Sequence, residues 1–207
     1  MSLPSRTDRL ARRLGALPVT VGLVVVALLA SGAVVYLSGA PRADDHRRAR
    51  PVHALTPTAY KVSCAAKPSV NAAGHRVTFG AAHLFDGKRS TAWRCAGNGH
   101  GQQVTITFAR PVQVTSLALV PGWARTDPTN GANRFAENGA PRTVTWSLDG
   151  RTVRQHIGKP KPTWFSTSVR PAAHARTIVL AIDRIRKGNR RAMVAISEIR
   201  VRGRTTG

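Results

Sequence analysis

Apolar positions along this chain follow two different rhythms. No charged residue occurs between Leu14 and Pro41, and Pro18–Leu37 (PVTVGLVVVALLASGAVVYL) is almost continuously apolar. Wound as a helix at about 1.5 Å per residue, that stretch reaches about 30 Å, the thickness of a bilayer's hydrocarbon core. The pattern predicts a transmembrane helix over residues 18–38, after a short basic cytoplasmic tail over residues 1–17. The apolar region of a cleavable signal peptide is usually shorter, about 7–15 residues, which favours a retained anchor. The small residues Ser38-Gly39-Ala40 keep cleavage open as an alternative. Residues 39–58 are polar, contain Pro41, Pro51 and Pro57, and show no apolar period, so they read as a flexible linker.

From Ala59 the period shortens to two. Val104, Ile106 and Phe108 share one face of Gln103–Phe108, with Thr105 and Thr107 on the other, the mark of a half-buried strand. Val112–Val120 continues the pattern between Pro111 and Pro121. Thr143–Leu148 alternates Val144, Trp146 and Leu148, stops at the turn pair Asp149-Gly150 and resumes over Arg151–Ile157 as a hairpin. Trp164–Val169, Thr177–Asp183 and Met193–Val201 complete the set. About eight strands with turn signals between them predict an all-β sandwich over residues 59–204, with no long helix outside the membrane.

Charge changes this picture more than composition does. The 207 residues carry 32 Lys+Arg against 9 Asp+Glu, a formal charge of +23. Such a surface draws anionic polymers, anionic lipids or acidic glycans. A GC-rich genome, with Arg replacing Lys on a solvated surface, gives the same bias. Arg6, Arg9, Arg12 and Arg13 precede the predicted span, and Arg42, Arg47, Arg48 and Arg50 follow it, so the positive-inside rule barely orients it. The short N-terminal tail and the large domain that follows favour the N-terminus inside, as in a signal-anchor. Cys64 and Cys95 both lie beyond the span. An even pair there suits a disulfide in an oxidising compartment, with two buried thiols as the alternative.

Catalytic signals are weak. His75, His83, His100, His156 and His174 are scattered, and neither H-E-x-x-H nor G-x-S-x-G occurs. Gly97-Asn98-Gly99-His100-Gly101 is glycine-rich without the spacing of a phosphate loop. After residue 50 only Asp86, Asp127, Glu137, Asp149, Asp183 and Glu198 are acidic. No helix-turn-helix, RNA-recognition or zinc motif accompanies the charge, so nucleic acid is not an expected partner. The reading is a binding protein, not an enzyme.

Four segments, in order, carry a resemblance. They are Ala81–Cys95 (AAHLFDGKRSTAWRC), Ser147-Leu148-Asp149-Gly150, Ala175–Ile182 (ARTIVLAI) and Ala195–Gly203 (AISEIRVRG). Together they resemble the discoidin family, also called the coagulation factor 5/8 type C domain, over about residues 60–203. The resemblance implies a galactose-binding-like jelly-roll β-sandwich that binds at its loops without turning substrate over. In that family Trp93 lies beneath the first loop as core. Trp146 also reads as core, and Trp164 is left undecided. Gly122–Pro141 (GWARTDPTNGANRFAENGAP) further resembles a loop of a bacterial subgroup similar to the glycan-binding translocation domain of streptococcal NAD glycohydrolase, which implies carbohydrate binding.

The side chains of that loop suit a sugar. Trp123 can stack on a pyranose face, and Arg125, Asp127, Asn130, Asn133 and Arg134 can hydrogen-bond hydroxyls; Arg125 and Arg134 can instead grip a carboxylate or phosphate in bidentate fashion. The alternative is that Trp123 and Phe135 staple the loop down and its polar groups satisfy their own backbone. Asp86, Thr91 and Glu198 match positions that help hold a structural Ca²⁺ in calcium-binding relatives. The competing reading has Asp86 capping its turn and Glu198 pairing with a nearby Arg. No other cofactor is expected. Arg184, Arg186, Lys187, Arg190 and Arg191 surround Gly188-Asn189 and read as an exposed cationic hairpin tip for anionic polymer or headgroups.

The expected protein is therefore a single-pass bacterial membrane protein with its C-terminal domain outside the cell. It would recognise a glycan or anionic cell-envelope polymer. A surface scaffold that docks a protein partner or the anionic membrane through its basic surface is the alternative.

Overall fold

The computed structural model describes residues 51–71 and 73–206. The predicted basic tail, the predicted span over 18–38 and most of the predicted linker lie outside the described residues. No helix among the described residues is long and apolar enough to cross a membrane.

The described chain is an antiparallel β-sandwich with almost no helix. Its strands are β1 (His53–Leu55), β2 (Ala59–Val62), β3 (Ser69–Val70), β4 (Arg76–Val77), β5 (Trp93–Ala96), β6 (Gln103–Pro121), β7 (Ala140–Leu148), β8 (Arg151–His156), β9 (Phe165–Arg186) and β10 (Met193–Thr205). A 3-10 turn over Ala81–Leu84 and a single helical turn over Arg134–Glu137 interrupt the loops. The main sheet runs β1-β10-β6-β9-β7-β8, with β2 added to β6 and β5 added to β10.

β6 and β9 let one sheet form two layers. The first half of β6 (Gln103–Thr107) pairs with Thr177–Ala181 of β9, and the second half (Val112–Leu119) pairs with Phe165–Ala175. Between these halves the ladder skips from Thr107 to Val112. Pro111, which offers no N–H to a ladder, sits in that gap. The sequence pattern places breaks at Pro111 and Pro121; the strand ends at Pro121 but runs on through Pro111 with a shift in register. β9 likewise joins two expected strands into one, past a cis Arg170–Pro171 bond.

The alternating positions point inward. Val104, Ile106, Val144, Trp146, Leu148, Ile178, Leu180 and Ile182 are fully buried or nearly so and form one core with Leu84, Trp93 and Cys95. Trp93 donates its indole N–H to the Cys64 carbonyl at 2.7 Å, and Trp146 donates to Gln155 Oε1 at 2.9 Å. Each buried indole thus has the partner its polar atom requires. Cys64 and Cys95 are joined in a disulfide, with their Cα atoms 5.7 Å apart. At the β7–β8 hairpin, Asp149 and Gly150 both adopt positive φ, as a two-residue hairpin turn demands.

Two boundaries differ from the sequence reading. His53–Leu55, expected in the linker, pairs with Val201–Gly203 and buries Leu55, so the domain begins before Ala59. The segment between β9 and β10 is not a hairpin tip, because those strands pair with β7 and β6, and with β6, β5 and β1, rather than with each other.

Candidate functional site

The loop after β6 begins at a position only glycine fits. Gly122 has φ 76°, and a Cβ there would lie 2.6 Å from the Phe135 ring. The turn sends Trp123 inward, to 7% exposure. Its indole N–H donates to the Ser90 carbonyl at 2.7 Å, and its ring meets Phe79 edge-on at 5.6 Å between centroids. With Ala92 and Ala195 these rings form a second small core under the loop. Arg94, itself buried, lies 4.4 Å from the Phe79 ring centroid and 5.2 Å from that of Trp123. Burial and the charges of Arg191 and Arg134 push the Arg94 guanidinium down to about 10, so it still carries its proton at neutral pH.

Arg134 is the centre of an ion-pair network. Its guanidinium donates to Asp127 Oδ2 at 2.7 Å and to Glu137 Oε2 at 2.8 Å. Arg190 and Arg191 approach the same Glu137 carboxylate at 3.4 and 3.5 Å. The Arg134 hydrogen bond, helped by the Thr129 N–H, holds the Asp127 carboxyl below its ordinary value. Burial alone would raise Glu137, but Arg134 and Arg191 outweigh it and lower that carboxyl too. The Asp127 bond in turn raises Arg134.

These contacts engage several of the expected sugar-binding side chains within the fold itself. Trp123 is buried, with the guanidinium groups of Arg94, Arg125 and Arg134 within 6.0 Å of its ring centroid, so it offers no open face to a pyranose. Asp127 accepts from Arg134 and from the Thr129 N–H, and Arg134 also donates to Glu137, so both side chains are held within the loop. Asn130 Oδ1 accepts the Ala132 N–H at 3.1 Å, and Asn133 Oδ1 accepts the Ala136 N–H at 3.0 Å as the cap of the helical turn. The staple alternative is the one these contacts match.

What the loop presents outward is a polar cleft of about 610 Å³. Arg89 and Ser90 form one wall, Ala124, Arg125, Thr126, Asn133 and Phe135 a second, and Pro162 a third. Of the predicted ligand residues, the cleft gathers Arg125 and Asn133. The Ser197 hydroxyl fixes the two main walls together. It accepts the Ala124 N–H at 2.9 Å and lies 2.9 and 3.1 Å from the carbonyls of Arg89 and Gly122. Arg89, Ser90 and Pro162 escaped the sequence reading because three loops distant in sequence converge there.

No protein-family model and no curated protein matches the chain. Solved structures do. The family 32 carbohydrate-binding module of C. perfringens NanJ, solved in complex with galactose, aligns with a TM-score of 0.51 at 13% identity, over 73% of this chain and 99% of that one. The domain has a discoidin-like fold. A truncated AlyQ with family 32 carbohydrate-binding and alginate lyase domains aligns with a TM-score of 0.50 at 14% identity, over 76% of this chain but only 34% of that one. The arabinofuranosyltransferase AftD from Mycobacteria aligns with a TM-score of 0.51 at 16% identity, over 72% of this chain and 10% of that one. At these identities the likeness is one of fold.

The discoidin-like fold directs attention to the Asp86 loop. The structure brings Asp86, Thr91 and Glu198 together. Asp86 Oδ1 accepts the Lys88 N–H at 2.9 Å, as in a capped turn, and Oδ2 accepts from Thr91 Oγ1 at 2.7 Å and from His83 Nδ1 at 3.0 Å. Burial raises the Asp86 pKa, and these hydrogen bonds more than reverse it. Among the described residues Glu198 forms no ion pair with an arginine. It is 4% exposed, its Oε1 has no hydrogen-bond partner, and burial together with Asp86 pushes its carboxyl up to about 7. Two facing carboxylates and a hydroxyl are hard oxygen donors suited to Ca²⁺, and an orphaned buried oxygen is what such an ion would satisfy. No group of three His, Cys, Asp or Glu converges among the described residues, so an ion here depends on hydroxyl and carbonyl oxygens as well.

The basic segment after β9 also departs from expectation. Arg186 is half-buried, donates to the carbonyls of Phe135 and Asn138 at 2.7 and 3.0 Å, and lies over the Phe135 ring at 4.7 Å. Burial lowers its pKa. Asn189 and Arg191 donate their N–H groups to the Ala136 and Glu137 carbonyls, and a Cβ on Gly188 would collide with Glu137 O at 2.2 Å. The segment is clamped onto the helical turn rather than free. Of the five expected patch residues, Arg184 and Lys187 are exposed and outside every ion pair of the described residues.

Proposed function

We propose that this domain is a non-catalytic glycan-binding module that recognises a saccharide bearing an acidic group at the three-loop cleft. The observation that carries this reading is the convergence of Arg89, Arg125, Ser90 and Asn133 around one open, polar cleft on a braced frame. Two guanidinium forks suit a carboxylate or sulfate, and the hydroxyl and amide suit sugar hydroxyls. Because the frame is locked by the Ser197 and Arg134 contacts, little ordering cost falls on binding. Structural relatives solved with galactose support the class of ligand.

Asp86, Thr91 and Glu198 hold a calcium ion in this reading, which rigidifies the wall that carries Arg89. Pro18–Leu37 anchors the chain, and the domain faces the cell exterior, where the Cys64–Cys95 disulfide persists. The test is calorimetric titration of acidic oligosaccharides into the full chain and into Arg125→Ala. Arg125 is half-buried and its guanidinium stands 6.0 Å from the Trp123 ring centroid, a contact at the outer limit of cation–π reach whose loss a melt should register only weakly. Loss of binding with an unchanged melting temperature supports the cleft; unchanged binding refutes it.

A further inference from the structure

We propose that a second cleft, at the junction of β7, β8 and the end of β9, binds a phosphate-bearing polyanion. The cleft has a volume of about 450 Å³ and shares no lining residue with the three-loop cleft. Asn98 and His100 enter it from the loop after β5, Arg142 from β7, His156 from the end of β8, Arg184 from β9 and Lys187 from the segment beyond. Four separate stretches of chain thus deliver donors to one hollow.

Charge balance in the cleft is one-sided. Arg142, Arg184 and Lys187 take part in no ion pair among the described residues. Arg142 Nε donates to the Gly158 carbonyl at 2.8 Å, which aims its guanidinium while its two terminal nitrogens keep their donors. The single lining carboxylate, Asp183, accepts from Thr145 Oγ1 at 2.8 Å and faces Arg154 at 3.8 Å. It is already engaged outside the cleft. Cations gathered like this from distant segments repel one another, and an anion among them removes that cost.

The lining also selects the ligand. No Trp, Tyr or Phe contributes, so a sugar ring has no face to stack on. Donors reach the hollow from separate stretches of chain and include two guanidinium groups, an ammonium and an amide. That suits a tetrahedral phosphate, whose oxygens diverge, better than a planar carboxylate. A neighbouring hollow of about 330 Å³ shares Asn98, Ile185 and Lys187 with it and continues past Arg190 and Arg191. The two form a track, which suits a chain of phosphates more than a single ion.

The test uses the full chain and labelled inorganic polyphosphate, read by fluorescence anisotropy at low and high salt. The triple variant Arg142→Ala, Arg184→Ala, Lys187→Ala should weaken binding at least about tenfold, or about 1.4 kcal/mol. The charge-matched control Lys61→Ala, Lys67→Ala, Arg76→Ala should change it less than about twofold, as exposed charges far from a site do. Equal losses in the two variants would mean that net charge alone attracts the polymer, and would overturn the proposal. So would binding to anionic phospholipid vesicles but not to polyphosphate. Should the triple variant melt early, Arg184→Glu with Lys187→Glu repeats the test at two exposed positions. Oligosaccharide binding at the Arg125 cleft should survive in every one of these variants, which separates this proposal from the glycan reading.

Discussion

Arg134→Met is the perturbation that most sharply probes how the loop is held. It keeps the apolar stem and removes two charge-assisted hydrogen bonds, at 2.7 and 2.8 Å, from a side chain only 13% exposed. Breaking a fully buried pair costs about 3–5 kcal/mol, because a charge is left without compensation. Here Glu137 keeps Arg190 and Arg191 at 3.4 and 3.5 Å, and the network lies near the surface. Both facts lower the expected cost to about 2–3 kcal/mol, within the range of charged hydrogen bonds. For a domain of this size that is a drop of roughly 4–12 °C in melting temperature, at 2–4 °C per kcal/mol. The loss should also depend on pH in a definite direction. Asp127 and Glu137 both titrate below their ordinary values in the fold. Their contribution is complete above about pH 5 and is lost as pH falls through the folded values. The gap between wild type and variant should therefore close in acid. Calorimetric melts of both proteins from neutral pH down to about pH 3 measure it. A gap under about 0.5 kcal/mol, the scale of an ordinary surface pair, or one that widens in acid, would refute the network.

Three further outcomes follow from the same contacts. Trp123→Ala should cost about 3–5 kcal/mol in urea unfolding, the range for truncating a buried aromatic; a loss below 1 kcal/mol would return the ring to the surface. Millimolar calcium should raise the melting temperature and a chelator should reverse it, with Glu198→Gln abolishing the response; an identical response in the variant would place the ion elsewhere. Reduction of the Cys64–Cys95 bond, which spans a separation of 31 residues, should remove about 3–4 kcal/mol of stability.

The strands were legible because alternation is a local property. Val104-x-Ile106-x-Phe108 and Val144-x-Trp146-x-Leu148 report which face is inward wherever the strand ends up. The Asp149-Gly150 turn was legible for the same reason. Strand length was not. Pro111 reads as a stop, yet it lies where the β6–β9 ladder is broken anyway, and the strand runs on past it. His53–Leu55 looks like linker because three residues hold too little alternation to register.

The site was harder to read, because its character is set by partners. Nothing near Arg94 in sequence marks it as buried, since the rings that receive it are Phe79 and Trp123. Trp123 in a polar loop looks like a ligand platform until Ser90 and Phe79 are brought against it. Asp127 and Arg134 look like free sugar-binding groups for the same reason. Arg125 and Asn133 could be named from sequence, but Arg89, Ser90 and Pro162 join them only through the fold.

The central claim is that this discoidin-like domain binds a glycan through the three-loop cleft. Its most direct test is a screen of defined saccharides and cell-wall polymers against the full chain, at low and high salt, with Arg89→Ala/Arg125→Ala in parallel. Binding to a defined acidic saccharide should weaken without vanishing in high salt and should disappear in the double variant. Binding to no saccharide, or binding that high salt abolishes and the double variant retains, would contradict it.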